Sequence, residues 1–464
     1  MADSSSSLDA VLAHVDAQLD DSVERLFALL RIASISTDPA YAGECRKAAD
    51  WLANELDGLG FDASVRPTEG HPMVVGHDKS QDGPSVLFYG HYDVQPVDPL
   101  SLWVHEPFEP AIGEENGRKV ILARGASDDK GQLMTFVEAC RAYKAVRGAL
   151  PVNVTVLFEG EEEAGSRSLG PFLEATADEL KADMALVCDT DMWDSETPSI
   201  VTMLRGLVGE EVVITAASRD LHSGMYGGAA RNPIQVLGDI VASLRNSDGS
   251  VAIEGFYDDV AELPAHVAEQ WQRLPFDGAA YLGEVGLGEP AGERGRSVLE
   301  QITSRPTCEI NGISGGYTGD GFKTVIPSQA SAKISFRLVG NQDPAKIREA
   351  FRAHVRARVP ADCSVAFSSH GASPATTIPA DGTFVTKALA ALTDEWNKEA
   401  AIAGSGGSIP IVGDFKRKLG MDSLLIGFAQ TDDRIHSPNE KYNLESYHRG
   451  IRSWVRILDR FGQT

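Results

Sequence analysis

The sequence predicts an α/β protein: a larger domain with a mixed, mostly parallel sheet flanked by helices, interrupted by a smaller α+β domain. Three observations carry this reading. Short apolar runs alternate with amphipathic helical stretches over roughly the first 200 residues, as in a sheet buried on both faces. From about Gly206 the runs change to strict apolar/polar alternation, the mark of strands with one wet face. Near the C-terminus the unbroken apolar runs and amphipathic helices resume, so the second domain interrupts the first. We place the larger domain at 1–205 and 380–464 and the inserted domain at 206–379.

The opening MADSSSSLDA holds two acids, no base and no apolar stretch, so it reads as a frayed polar end and not as a signal peptide. Leu8, Val11, Leu12, Val15, Leu19, Val23, Leu26, Phe27 and Leu30 then recur at helical steps. Ala48, Trp51, Leu52, Leu56 and Leu59 mark a second helix that ends at Gly60. Buried strands are expected at 86–89 (VLFY), 152–158 (VNVTVLF), 185–188 (ALVC) and 423–428 (SLLIGF), with helices at 133–143 and 169–180 between the first three. In the inserted domain a strand is expected at 208–217. A helix then begins at Asn232 and Pro233, with proline at its first position. Ala332, Ile334, Phe336 and Leu338 alternate with polar residues in a further strand. A helix at 344–355, a strand at 364–368 and a return linker at 372–379 complete that domain, and a last helix covers 447–461.

Charge narrows the function. Lys and Arg number 42 against 67 Asp and Glu, a net charge of −25, and no basic run relieves it. Such a surface disfavours nucleic acid and anionic membranes as partners. No window approaches the ~18 uninterrupted apolar residues of a membrane span. The five cysteines (Cys45, Cys140, Cys188, Cys308, Cys363) are scattered and form no C-x-x-C pair, which points to reduced thiols and a cytoplasmic protein. Any metal must then be held by histidine and carboxylate.

Such groups gather where α/β sheets build their sites, at the carboxyl ends of strands. VLFY runs into GHYDVQP (90–96), VNVTVLF into EGEEEAG (159–165), and ALVC into Asp189, Thr190 and Asp191. SLLIGF precedes a loop that carries His436, and GASDDKG (125–131) opens the helix between the first two strands. Each motif alone has an ordinary explanation: a surface histidine, a solvated acidic loop, a helix cap. Five such placements together do not. A rival serine-hydrolase motif, G-x-S-x-G at 312–316, is followed by loop chemistry where a nucleophile elbow needs a helix.

In order along the chain stand GHYDVQP, Trp103 with PFEP, GASDDKG, FEGEEEAGS, LRG, DLHSGMYGG, KTVIP, GGSIP and HSPNEK. Taken together these resemble the dimetal (co-catalytic zinc) peptidase family that includes carnosinase, cytosolic nonspecific dipeptidase, carboxypeptidase G, aminoacylase and succinyl-diaminopimelate desuccinylase. The wording is nearest the carnosinase-like dipeptidases, and the likeness runs from about Leu26 to the end.

The resemblance implies that His91 and Asp189 hold one metal, Glu163 and His436 the other, and that Asp128 bridges them. Three carboxylates and a bridging hydroxide would balance two divalent cations. Zn²⁺ is the first expectation, with Mn²⁺ or Co²⁺ open. Asp93 would orient the His91 imidazole, and Glu162 would act as general base, with Glu161 as its competitor and Asp191 competing for the place of Asp189. The Asp128–Asp129 peptide is cis in the family. The inserted domain would be a ferredoxin-like lid and dimerisation domain. From it His222 would reach the active site of the partner in a homodimer to stabilise the oxyanion. Arg337, Gly407 and Ser408 would bind the substrate's C-terminal carboxylate, with Thr324 a further contact. The expected activity is hydrolysis of dipeptides that carry a free C-terminal carboxylate; an N-acyl amino acid amidohydrolase or a carboxypeptidase G-like exopeptidase is the alternative.

Overall fold

In a computed structural model, residues 3–463 are described except Ser408. The chain divides into two units. The first comprises residues up to Thr202, then Ile378–Ala403 and Asp414–Thr464; the second is Met203–Thr377 with Gly404–Gly413. The short piece 404–413 therefore belongs with the second unit, whereas the sequence pattern alone returns the chain to the first at residue 380.

The central sheet of the first unit runs in the order Asp62–Arg66, Met73–Asp78, Asn153–Glu159, Ser85–His91, Met184–Val187, Ser423–Leu425, Ser199–Leu204. Its four middle strands are mutually parallel, with Phe88 beside Val156 and Leu186, and Leu424 beside Leu186. Their residues are almost all buried, which explains the short apolar runs in the sequence. The flanking strands are antiparallel.

Helix Lys130–Arg147 packs on this sheet and against the last helix, Leu444–Gly462. Phe136 stacks on Phe88 at 3.8 Å between ring centroids, and Trp454 meets both rings edge-on at 5.5 and 5.6 Å. The Trp454 indole donates to Thr135 Oγ1 at 3.0 Å, so the ring is buried with its one polar atom satisfied. Helix Lys130–Arg147 ends on Gly148, whose φ of 72° lies in the left-handed region that closes a helix.

The amphipathic pattern from Leu8 to Leu30 is two helices, Asp3–Ala17 and Leu19–Leu30, parted at Gln18; apolar spacing survives a one-residue break that periodicity does not reveal. From Asp3 on, the expected frayed end lies within the first of them. A three-stranded antiparallel sheet of Ala111–Glu115, Arg118–Leu122 and Lys441–Asn443 was not foreseen. Its strands are short, and two of them carry an exposed charge, Glu114 and Lys119.

The second unit holds a four-stranded antiparallel sheet in the order Thr307–Gly315, Gln329–Leu338, Gly206–Thr215, Ser364–Ser373. Helices Pro233–Ala242 and Pro344–Arg356 fall after its first and third strands in sequence. This βαββαβ order with interleaved strands is ferredoxin-like. One face is dry: Val208, Val212, Ile214, Ala332, Ile334 and Phe336 cluster with Leu237, Ile240, Phe351 and Val355. Asn232 caps the first helix through the Ile234 N–H, with Pro233 opening it as expected. The last strand runs past 368 to Ser373. Thr376 and Thr377 pair with Leu204 and Met203, so most of the expected linker is extended and hydrogen-bonded. Residues 312–315 of that motif lie in the edge strand Thr307–Gly315 with no helix after it, so it makes no nucleophile elbow.

Candidate dimetal site

The parallel strands of the first unit all end on the same edge, and each hands the chain to a polar loop there. Ser85–His91 ends on His91 itself. Asn153–Glu159 leads to a 3₁₀ turn at Glu162–Ala164, and Met184–Val187 leads to Asp189. His436 sits on a tight loop in which Arg434, His436 and Asn439 all take positive φ, uncommon for residues other than glycine. Asp128 precedes helix Lys130–Arg147 and is joined to Asp129 by a cis peptide.

These loops bring together two sets of ligand atoms, each within 4.8 Å of one another: His91, Asp128 and Asp189, and Asp128, Glu163 and His436. Asp128 belongs to both. Its Oδ1 lies 3.1 Å from His91 Nε2 and its Oδ2 lies 2.8 Å from His436 Nε2. One carboxylate thus presents one oxygen to each half of the site. His436 Nε2 is also 3.2 Å from Glu163 Oε2, and His91 Nε2 is 3.9 Å from Asp189 Oδ2. Asp189 is the aspartate in the cluster. Asp191 stands in neither set, and its backbone pairs with Ala429.

The donor set, imidazole nitrogen and carboxylate oxygen without thiolate, suits a pair of divalent ions. The electrostatics agree. Burial would raise Asp128, but hydrogen bonds to His436 and His91 hold it well below the carboxylate range. Burial would lower His91, yet its bonds to Asp128 and Asp93 keep it well above the usual imidazole value. Asp128 and Glu163 raise His436 to about 10. Desolvation lifts Asp189 to about 7. A metal cation bound here would neutralise the carboxylates that both imidazoles face.

Asp93 does more than steady His91. The imidazole Nδ1 is 3.1 Å from the Asp93 carbonyl oxygen and 3.4 Å from its carboxylate. The same carboxylate accepts the backbone N–H groups of Glu162 at 3.2 Å and Glu163 at 3.0 Å. It therefore ties the His91 loop to the turn that carries both glutamates. Glu161 is engaged elsewhere, accepting from the N–H groups of His71 and Ser168 at 2.9 Å each. The Glu162 carboxylate has no hydrogen-bond partner among the described residues, and burial, the largest influence on it, raises its pKa. Of the two adjacent acids, Glu162 is the one whose carboxylate is unengaged among the described residues.

Two supporting groups are not distinguished by the sequence although both sit inside its motifs. Gln95 donates to Glu163 Oε2 at 2.7 Å, and the buried Asp129 accepts the His91 N–H at 3.0 Å. Gly131 has a steric reason in the same motif: a Cβ there would stand 1.8 Å from the Ala126 carbonyl oxygen.

The second unit carries the other expected residues. Leu221 and His222 pair with Ile326 and Val325, which sets His222 beside the KTVIP segment, and Ser223 N–H donates to the Thr324 carbonyl. His222 and Thr324 are both exposed. His222 Nδ1 accepts from the Gly224 N–H at 3.0 Å, so Nε2 is the nitrogen left to carry the proton. Arg337 projects from the sheet beside Leu207 and Thr307 and pairs with no carboxylate among the described residues. Near it, Arg205 donates to the Gly406 carbonyl at 3.1 Å; burial and the like charge of Arg337 lower it to about 10. The Gly407 N–H already donates to Ser405 Oγ at 3.2 Å, and Ser408 lies outside the described residues.

Residues 87–460 match the model of peptidase family M20/M25/M40. The chain belongs to that family. It is accordingly a metal-dependent hydrolase of peptide bonds with a dinuclear divalent-metal site. It is 30% identical to the Cys-Gly metallodipeptidase dug1 of Schizosaccharomyces pombe, over 96% of each chain. It is 27% identical to the human Beta-Ala-His dipeptidase, over 98% of this chain and 93% of that one. Among solved structures, the M20 metallo-carboxypeptidase Sso-CP2 of Sulfolobus solfataricus is similar with a TM-score of 0.76 and 33% identity, covering 96% of this chain and 99% of that one. No described helix is long and apolar enough to cross a membrane.

Proposed function

We propose that the protein is a dipeptidase that cleaves the amide bond of short peptides bearing a free C-terminal carboxylate. The observation that carries this reading is the Asp128 carboxylate, with one oxygen facing His91 and the other facing His436. His91 and Asp189 would hold one ion, Glu163 and His436 the other, with Asp128 shared; zinc suits the set best, and manganese or cobalt also fits it. When bound, such a pair supplies a deprotonated water at neutral pH and a Lewis acid for the scissile carbonyl. Glu162, with its carboxylate unengaged, takes up the water's proton and returns it to the departing amine. Its raised pKa suits that exchange.

His222 donates from Nε2 to the oxygen that gains charge as the carbonyl is attacked. Arg337, with its planar fork and no acidic partner, grips the C-terminal carboxylate, aided by the 404–408 loop, and Thr324 is a further contact. We assign the lid and dimerisation role to the second unit, with His222 acting in the partner's active site. Support for a homodimer comes from its exposed apolar side chains Met225, Ile313 and Phe322 and from the open edge of strand Thr307–Gly315. The acidic charge and the reduced thiols expected from the cysteine pattern favour a cytoplasmic location.

The test is hydrolysis of a panel of dipeptides, their C-terminal amides, tripeptides and N-acyl amino acids by protein of measured metal content. Dipeptides should be cleaved and their amides poorly. Turnover confined to N-acyl amino acids would overturn the dipeptidase reading, and protein that retains full activity after chelation would overturn the metal chemistry.

A further inference from the structure

Glu440 plays no part in the chemistry above, yet its carboxylate is the most heavily engaged acceptor around the site. It is fully buried. Oε1 accepts the N–H groups of Ser127 at 2.9 Å and Asp128 at 3.1 Å; Oε2 accepts the Gly125 N–H at 2.9 Å and Arg124 Nη1 at 2.7 Å. Three of the four donors are main-chain groups of one short loop, so the carboxylate sits in a concavity of backbone dipoles. Arg124 supplies the countercharge. It is buried, donates Nη2 to the Pro96 carbonyl at 3.1 Å and lies over the Trp103 ring. The pair adds no net charge to a centre already rich in carboxylates.

Asp433, also fully buried, makes a second link, accepting from Ser127 Oγ at 2.8 Å. His436 lies between Asp433 and Glu440 in sequence. The loop that presents His436 is thus joined at both ends to the loop that presents Asp128. Fold stability alone is a weak reason for such an arrangement, because well-packed apolar residues often replace a buried ion pair at no loss. Geometric control of two ligands is a stronger one.

We infer that Glu440 is a positioning residue, its carboxylate setting the Asp128 backbone against His436 and so fixing the spacing of the Asp128–Glu163–His436 ligand set. The inference rests on the dimetal reading proposed above. It distinguishes the two halves of the site: both share Asp128, which Glu440 holds, but only the Asp128–Glu163–His436 set also takes a ligand from the 433–440 loop, so it meets the change through two ligands and the His91–Asp128–Asp189 set through one.

The experiment titrates Zn²⁺ into metal-free full-length protein by calorimetry, for wild type and E440Q, beside thermal unfolding of the metal-free forms and kcat and KM on one dipeptide. The amide keeps the shape but offers one acceptor oxygen to donors that occupy two. One metal equivalent should weaken by about tenfold or more while the other stays within about threefold. We expect kcat to fall by about tenfold or more and KM to change little. Both equivalents binding as in wild type with unchanged kcat would overturn the inference, as would equal weakening of both in step with lost thermal stability. If E440Q does not fold, E440D decides: it keeps the charge opposite Arg124 but draws the carboxylate back from the three main-chain donors by one methylene and should weaken the same single equivalent, and selectivity absent there also overturns the inference. Wild-type protein that binds fewer than two equivalents would instead refute the dimetal reading.

Discussion

Replacing Glu162 by Gln exchanges one carboxylate oxygen for an amide nitrogen of nearly the same size. No described residue hydrogen-bonds that carboxylate, and the backbone N–H of residue 162 stays on Asp93, so the fold loses no contact. Burial raises the Glu162 pKa, which means the charged form is disfavoured where it stands; a neutral amide should leave stability within about 0.5 kcal/mol of wild type. Neither ligand set includes Glu162, so metal content should not change. Catalysis should change greatly. A positioned general base contributes about 10²–10⁴-fold, or ~2.7–5.4 kcal/mol at 1.36 kcal/mol per decade. The assay pairs amino-acid release from a dipeptide with elemental analysis of the same preparation. Because Glu162 must be ionised to accept a proton, kcat/KM in wild type should rise with pH through its elevated pKa, and the variant should lack that limb. Activity within about tenfold of wild type at full metal content would refute the assignment of the base. Loss of metal would show that Glu162 is a ligand instead.

Metal affinity should climb with pH, because the His436 proton, held up to about 10 by Asp128 and Glu163, must leave before a metal binds; calorimetry in buffers of different ionisation enthalpy should record proton release, and pH-independent affinity would contradict the ion-paired cluster. Glu159 is fully buried, and its pKa is raised by burial to about 8. The folded metal-free protein then binds a proton that the unfolded chain has given up, so this group's contribution is complete below about pH 4.5 and is lost as pH rises toward 8, at no more than ~1.4 kcal/mol per pH unit. In E159Q that slope should vanish from the urea-midpoint profile. Trp454→Ala should cost ~3–5 kcal/mol, since it empties a ring-sized space beside Phe88 and Phe136 and removes the donor to Thr135 Oγ1, and a lowered melting temperature with retained metal ligands checks it. His222→Ala should lower kcat by about 10²-fold or more with metal content intact, measured beside the Glu162 variant.

Some of this was legible in the residues because the physics is local. Buried parallel strands are rich in apolar residues, and the short runs at 86–89, 152–158 and 185–188 supplied them. A helix opened by Asn and Pro carries its own start signal, and 232–233 did. The sites at the strand ends followed once the strands were located, since a parallel layer sends all its carboxyl ends to one edge. Other features depended on partners far along the chain. The break at Gln18 leaves the apolar spacing intact, and the three-stranded sheet joins strands at 111–122 to one at 441–443 without a strong pattern in any of them.

The sequence alone determined which chemical groups were available: imidazoles and carboxylates at strand ends, no C-x-x-C pair, and a net charge of −25. Only the tertiary structure decided what each of the adjacent acids meets. Glu161 turns away to backbone donors while Glu162 stays free; Asp189 joins His91 while Asp191 does not; Glu440, silent in the chain, gathers four hydrogen bonds. Spacing along a loop does not specify direction. That is set by the donors and charges a side chain meets once strands more than a hundred residues apart have been brought side by side.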